Sequence, residues 1–227
     1  MTAFYPAFLK LDGLPVVVVG GGPVAAGKLD GLRVAGARIT VIAPRIAQEI
    51  RSRADVTLVE REFLASDLDG ARWVVAAAPP DINREVAAAA TARGLFVNAV
   101  DDTASATAYL GGVVRRGTPE AGGVEIAIST RGVAPALAGL LREALDAVLP
   151  ADLERWIAVA KAERIAWKHA GVPMAQRRPL LLEALNRIYA RNDPGSGTES
   201  RPLHLGPERR PLLLRAIDRL YPNGWSA

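Results

Sequence analysis

Val16-Val17-Val18-Val19-Gly20-Gly21-Gly22-Pro23-Val24-Ala25 is the stretch that decides the fold. Four β-branched residues prefer extended backbone, and three glycines permit a tight turn. The apolar spacing after Pro23 is helical. Strand, glycine turn and helix together make the phosphate-binding corner of a dinucleotide fold. The pattern is the G-x-G-x-x-A form. Gly20 allows the turn, Gly22 lets backbone approach a pyrophosphate, and Ala25 keeps helix and strand close. Gly21, Pro23 and Val24 complete the corner, where the helix N-terminus offers free N–H groups and partial positive charge. The alternative is a glycine-rich turn of any α/β protein. The strand before it and the helix after it favour the dinucleotide site.

Outward from this corner the chain alternates. A helix is predicted over 23–35, closed by Gly36, then a strand over 37–43 and a helix over 45–53. Strands follow at 56–60 and 72–78, a helix at 81–93 closed by Gly94, and a strand at 95–100. Strands alternating with helical patterns predict a parallel, doubly wound sheet. Ligands in such sheets sit at the carboxyl ends of the strands. That rule selects Gly20–Ala25, Ala78-Pro79-Pro80 and Asn98–Asp102.

From about Ala106 the rhythm changes. Strands are predicted over 107–114 and 124–129, either extending the sheet antiparallel or forming a contact between subunits. Ser129-Thr130-Arg131-Gly132 then precedes an apolar helix over 136–149, with Pro135 in its first turn. Such a loop binds carboxylate or phosphate, or else merely caps the helix. Residues 151–227 read as helices and carry a repeat. Arg177-Arg178-Pro179-Leu180-Leu181-Leu182 recurs 32 residues on at 209–214, and nine of 13 aligned positions across 177–189 and 209–221 are identical. Each copy places apolar residues on one helical face, with Pro179 and Pro211 as helix starts and a flexible linker at 192–197. Two copies are too few for a solenoid, so the repeat reads as a duplicated packing helix.

Composition narrows the class. The chain has 227 residues, half of them apolar, and no cysteine. Disulfides and thiolate chemistry are excluded, which fits a reducing compartment. No run of 18 apolar residues and no signal-peptide layout occurs, so the expectation is a cytoplasmic protein without a membrane partner. His169 and His204 make no ligand pattern, and no metal site is expected. The net charge of +4 is uneven: −1 over residues 1–113, zero over 114–150 and +5 over 151–227. A basic second half suits an acidic small molecule better than nucleic acid, because dense basic runs with interleaved aromatics are missing.

For chemistry the residues leave alternatives open. Asp101, at the end of a strand and beside Asp102, suits proton transfer during oxidation of a substrate C–H bond, but acids also cap turns. The end of the second strand reads Ile42-Ala43-Pro44-Arg45, without the acid that commonly binds a ribose 2′-hydroxyl; an Arg there suits a 2′-phosphate.

Ordered motifs over residues 5–150 carry a resemblance. The opening FYPAFLKLDGLPVVVVGGGPVAAGK, with Lys28, is followed by AGARITVIAP at 35–44, AAAPPDIN at 76–83, NAVDD at 98–102 and ISTRGVAPALAGLLRE at 128–143. This order resembles the precorrin-2 dehydrogenases, the N-terminal module of siroheme synthase. The resemblance implies a Rossmann-like NAD-binding domain over 1–113, a dimerisation segment over 114–150 and a helical C-terminal domain over 151–227. It implies dehydrogenation of precorrin-2 to sirohydrochlorin with NAD as acceptor, in a homodimer. Some members also take Fe²⁺ as a chelation substrate. The family's catalytic aspartate falls on Asp101. Pro23, Val24, Pro44 and Arg45 match positions that contact NAD, which favours NAD over NADP. Asn98, Arg115, Ser129, Thr130, Arg131 and Gly132 fall on the side of the polycarboxylate substrate. The chain departs from the pattern at Tyr109-Leu110-Gly111-Gly112, at Arg131 where glycine is frequent, and at Ala134 where serine is common. An NAD(H)-sensing module without turnover is the rival from another class.

Overall fold

The structure, a computed structural model, describes residues 4–118 and 122–190. The chain divides into two compact units, one ending at Leu110 and one beginning at Gly111.

The first unit is built on the valine run. Strand β1 (Pro15–Val19) is central, and its alternating side chains enter two different cores. Val16 and Val18 meet Ala25, Ala26 and Leu29 of helix α1 (Pro23–Val34) and Ile50 of α2 (Gln48–Arg51). Val17 and Val19 meet Val86, Ala87 and Ala90 of α3 (Pro80–Ala92). A strand covered on both faces needs apolar residues at consecutive positions, and this explains the unbroken run. Each fully buried valine stabilises the fold by about 1.5–3 kcal/mol.

Strands β2 (Arg38–Ile42), β3 (Val56–Val59), β4 (Trp73–Ala76) and β5 (Val97–Ala99) complete a parallel sheet in the order β3-β2-β1-β4-β5. The order reverses between β1 and β4, so a crevice opens beyond their carboxyl ends. This is the doubly wound, Rossmann-like architecture expected from the alternation.

Two expectations in this unit change. The helix expected over 45–53 is only the single turn Gln48–Arg51. The chain before it is held down on the glycine corner: Ala47 N–H donates to the Gly21 carbonyl at 2.8 Å, and Arg51 Nε donates to the Ile46 carbonyl at 2.9 Å. The strand expected from 107 begins only at Gly112. Residues 107–108 instead lean on β5, their two N–H groups donating to the Val97 carbonyl while Thr107 Oγ1 accepts from Val97 N–H.

In the second unit β6 (Gly112–Thr118) and β7 (Gly122–Ile128) pair antiparallel as a separate sheet, so they do not extend the parallel one. Helices α4 (Pro135–Val148), α5 (Leu153–His169) and α6 (Met174–Ala190) follow. Leu181, Leu182, Leu185, Ile188 and Tyr189 of α6 pack with Leu153 and Trp156 of α5. The first repeat copy is therefore a packing face, as its spacing predicts. Tyr189 Oη accepts from Trp156 Nε1 at 2.5 Å and donates to the Asp152 carboxylate at 3.1 Å. Pro179 lies inside α6 rather than at its start, because Met174 already opens the helix. The linker at 192–197, His204 and the copy at 209–221 lie outside the described residues.

One electrostatic feature of the first unit has a pH signature. Asp67 accepts from Arg61 (2.8 and 2.5 Å) and from Leu64 N–H (2.8 Å). The Arg61 hydrogen bond, opposed by partial burial and helped by the Leu64 N–H, holds the carboxyl below the usual carboxylate range. Its contribution to stability is thus full above the unfolded value of about 3.9 and is lost as pH falls through the lower folded value. Chemical denaturation of wild type and Asp67→Asn checks this. The variant is expected to be less stable by a constant amount at pH 5–7, with the gap closing below pH 4.

Candidate functional site

The glycine corner is a place where backbone meets backbone. Gly20 has φ +128°, and a Cβ there would sit 2.2 Å from the Ala77 carbonyl oxygen. A Cβ on Gly21 would sit 2.1 Å from the Arg45 carbonyl oxygen. These two glycines let the ends of β1, β4 and β2 close on one another. A Cβ on Gly22 would meet nothing within 4 Å. The third glycine therefore faces open space, where a ligand rather than protein would approach.

Gly22 is also the N-cap of α1, with no side-chain cap and no acidic residue in the first turn. The first helical bond runs from Ala26 N–H to the Gly22 carbonyl at 3.0 Å. Pro23 has no N–H, so the N–H group of exposed Val24 is the first free donor of the helix end. This donor, the partial positive charge of the helix end and the empty space over Gly22 fit a pyrophosphate. Val24 is exposed, while Ala25 is fully buried and holds α1 against the sheet. Pro44 and Arg45 are both exposed, just past the end of β2.

Beside this corner lies a cleft of about 150 Å³ lined by Val24, Ala77, Ala78, Pro80, Asn83, Val100, Asp101 and Asp102. It joins the α1 terminus to the loops after β4 and β5. Of the residues predicted for the loop after β4, Ala78 lines the cleft and Pro79 is the N-cap of α3.

Asp101 and Asp102 share the cleft wall but differ in duty. Both follow the end of β5, so strand alternation does not separate them. Asp102 accepts from Ser105 N–H at 3.1 Å, and the Ser105 hydroxyl followed by that N–H holds its carboxyl below the usual range. It caps the turn, which is the ordinary reading of an acid at this place. Asp101 is exposed and has φ +58°, a left-handed conformation that is uncommon outside glycine and that Asp tolerates better than most residues. One acid holds the loop and the other is presented to the cleft.

Asn83, the last residue of the AAAPPDIN motif, is a site residue to which the sequence alone gives no role. It is 3% exposed, accepts from Ala78 N–H at 2.9 Å through Oδ1, and donates to the Val100 carbonyl at 3.2 Å through Nδ2. Its signal was a lone amide inside an otherwise apolar helix face at 80–90. Asn98 is buried and not among the cleft's lining residues. Its Nδ2 donates to the Ala108 carbonyl at 3.0 Å, and its Oδ1 is buried without a hydrogen-bond partner.

The other expected residues belong to the second unit. Arg115 Nε pairs with Glu125 at 3.0 Å across the β6–β7 hairpin, where the two residues are in register. In the loop before α4, Ser129 Oγ accepts from Arg131 N–H at 3.1 Å and Thr130 Oγ1 accepts from Ala134 N–H at 3.3 Å. Arg131 and Gly132 are both left-handed, with φ +57° and +76°. The hydroxyls thus shape the turn that opens α4. Among the described residues no helix is long and apolar enough to cross a membrane, and no group of three His, Asp or Glu could hold a metal ion.

Known proteins with the same features can now be compared. Residues 7–112 match a family model described as "Putative NAD(P)-binding". Siroheme synthase 1 of Aeromonas salmonicida (strain A449) is 34% identical over 86% of this chain and 43% of its own length. Siroheme synthase of Photorhabdus laumondii subsp. laumondii is 36% identical over 82% of this chain and 40% of its own length. Over most of its length the chain is thus a homologue of siroheme synthases. It spans less than half the length of these two relatives. A solved structure titled SirC, precorrin-2 dehydrogenase, shares the fold, with a TM-score of 0.58 and 24% identity over 79% of this chain and 88% of that one.

The glycine corner yields a paired prediction. Gly20→Ala should cost ~2–4 kcal/mol of stability, because its Cβ overlaps backbone that cannot swing aside and the residue is strained. Gly22→Ala should leave the unfolding midpoint within about 2 °C, since its Cβ meets open space, yet weaken dinucleotide binding severalfold. Thermal unfolding and calorimetric titration with NAD check the two halves.

Proposed function

We propose that this chain dehydrogenates precorrin-2 to sirohydrochlorin, with NAD as the hydride acceptor. The observation that carries the reading is the presence of a presented carboxylate, Asp101, in the wall of the cleft that begins at the α1 N-terminus. The homology to siroheme synthases and the NAD(P)-binding family match support the pathway and an oxidoreductase activity.

Bound at the corner, the nicotinamide supplies the two-electron acceptor. The chain's own residues have three tasks. The N–H group of Val24, under the open face of Gly22, binds the pyrophosphate. Pro44 and Arg45, past β2, lie where the adenosine ribose belongs in this fold. Asp101 receives the proton that leaves the macrocycle as hydride departs, or orients the carbon that loses it. Oxidation of the macrocycle releases one hydride and one proton, so a single base suffices.

The substrate is a polycarboxylate, which calls for cations and hydroxyl donors. Arg115, Arg131 and the Ser129-Thr130 hydroxyls beside Gly132 suit carboxylate recognition. The exposed leucines of α4, Leu137, Leu140 and Leu141, support a homodimer formed through this unit. Fe²⁺ enters only as a further substrate, in a chelation step where a carboxylate accepts the pyrrole protons.

Anaerobic incubation with fresh precorrin-2 and NAD tests the reading. NADH and the sirohydrochlorin spectrum should rise in step, and NADP should serve less well. Asp101→Ala should lower kcat by about 100-fold or more while NAD affinity stays within twofold. Wild type that binds NAD but makes neither product would overturn the dehydrogenase and leave an NAD(H)-sensing module. Product made equally well by Asp101→Ala would remove Asp101 from the chemistry. Addition of Fe²⁺ or Co²⁺ to the product then tests chelation.

A further inference from the structure

The geometry points to Asn83 as the positioning residue for Asp101. This inference rests on the dehydrogenase reading. The starting fact is the left-handed conformation of Asp101, φ +58°. Hydrogen bonds hold the backbone on both sides of it. On the C-terminal side, the Asp102 carboxylate accepts from Ser105 N–H and the Asp102 carbonyl accepts from Ala106 N–H at 3.1 Å. On the N-terminal side, Val100 N–H donates to the Ala76 carbonyl at 2.9 Å, and the Val100 carbonyl accepts from Asn83 Nδ2 at 3.2 Å. The peptide that joins Val100 to Asp101 is therefore gripped through its carbonyl by one side chain.

The same amide grips the other side of the cleft. Asn83 Oδ1 accepts from Ala78 N–H at 2.9 Å, so one planar group spans the loops after β4 and β5. Asn83 belongs to the first turns of α3, where its own N–H donates to the Pro79 carbonyl at 2.9 Å. A helix anchored on the sheet thus fixes the distance between the cofactor-side loop and the acid-bearing loop. The amide is suited to this because it carries a donor and an acceptor on one rigid plane. A leucine would fill the volume but leave a buried N–H and a buried carbonyl without partners. Both polar atoms of the Asn83 amide are taken up by backbone groups. Asn83 acts through Val100 on Asp101 and through Ala78 on the cofactor corner.

The two halves of the amide can be separated. Asn83→Asp keeps an oxygen for Ala78 N–H but removes the donor to Val100 when ionised. At pH 8 the variant should lose about 10- to 30-fold in kcat, with NAD affinity within threefold and an unfolding midpoint within a few degrees of wild type. A carboxyl buried there titrates higher than usual, and its protonated form restores a donor. The variant-to-wild-type ratio of kcat should therefore recover as pH falls from 8 to 5.5. Asn83→Ala, lacking both functions, should lose kcat and NAD affinity together without acid recovery.

A ratio near one at every pH, or a loss in Asn83→Asp that follows NAD affinity and the unfolding midpoint, would overturn the inference. Amide hydrogen exchange over residues 100–106 gives a readout independent of turnover. It should be faster in Asn83→Asp than in wild type at pH 8, and unchanged exchange would also overturn the inference. If wild type makes no product while exchange rises as expected, the dehydrogenase reading fails and the positioning of Asp101 by Asn83 stands.

Discussion

The first unit depends on two backbone contacts that only glycine allows. Gly20 lies against the Ala77 carbonyl and Gly21 against the Arg45 carbonyl. Through them the carboxyl ends of three adjacent strands meet at one point. The reversal of strand order at β1 and β4 places this point at the mouth of the crevice. Any side chain at either position would push the strand ends apart. With them closed, α1 starts directly over the sheet and its N-terminus faces the crevice. Hydrophobic burial gives the sheet its stability, but this contact gives the crevice its shape.

The frame was legible in the sequence because its constraints are local and redundant. The valine run, Gly36 after α1, Gly94 after α3 and the alternation of strand and helix all agree. The acid pair at Asp101 and Asp102 was legible as a location. Its division of labour was not, because that depends on Ser105 capping one carboxylate while the left-handed backbone presents the other. The helix read over 45–53 fails for a tertiary reason, since residues 45–47 are drawn onto the glycine corner. The strand read from 107 fails because Thr107 and Asn98 replace ladder partners with side chains. Asn83 closes the AAAPPDIN motif, yet the sequence assigns it no role. A single amide inside an alanine-rich helix gains meaning only once two loops are seen on either side of it.

Polar groups that the sequence suggested as ligands prove to have structural duties as well. Arg115 is paired with Glu125, and the Ser129 and Thr130 hydroxyls accept from their own loop. These bonds leave capacity for a carboxylate: a guanidinium has five donors, and a hydroxyl that accepts from backbone still has its proton to donate. The loop that opens α4 is thereby held in shape by its own hydroxyls. The same economy holds in the first unit, where Asp102 and Asn83 maintain the loop that presents Asp101.

The central claim is that one crevice brings together the α1 N-terminus, the nicotinamide and Asp101. A crystal structure of the protein with NAD and a tetrapyrrole product tests it most directly. The account predicts the pyrophosphate within hydrogen-bond distance of the Val24 N–H group, the nicotinamide in the cleft beside Val24 and Asn83, and the macrocycle edge against the Asp101 carboxylate. A dinucleotide seated away from Gly22, or a macrocycle bound with Asp101 remote from it, would contradict the account.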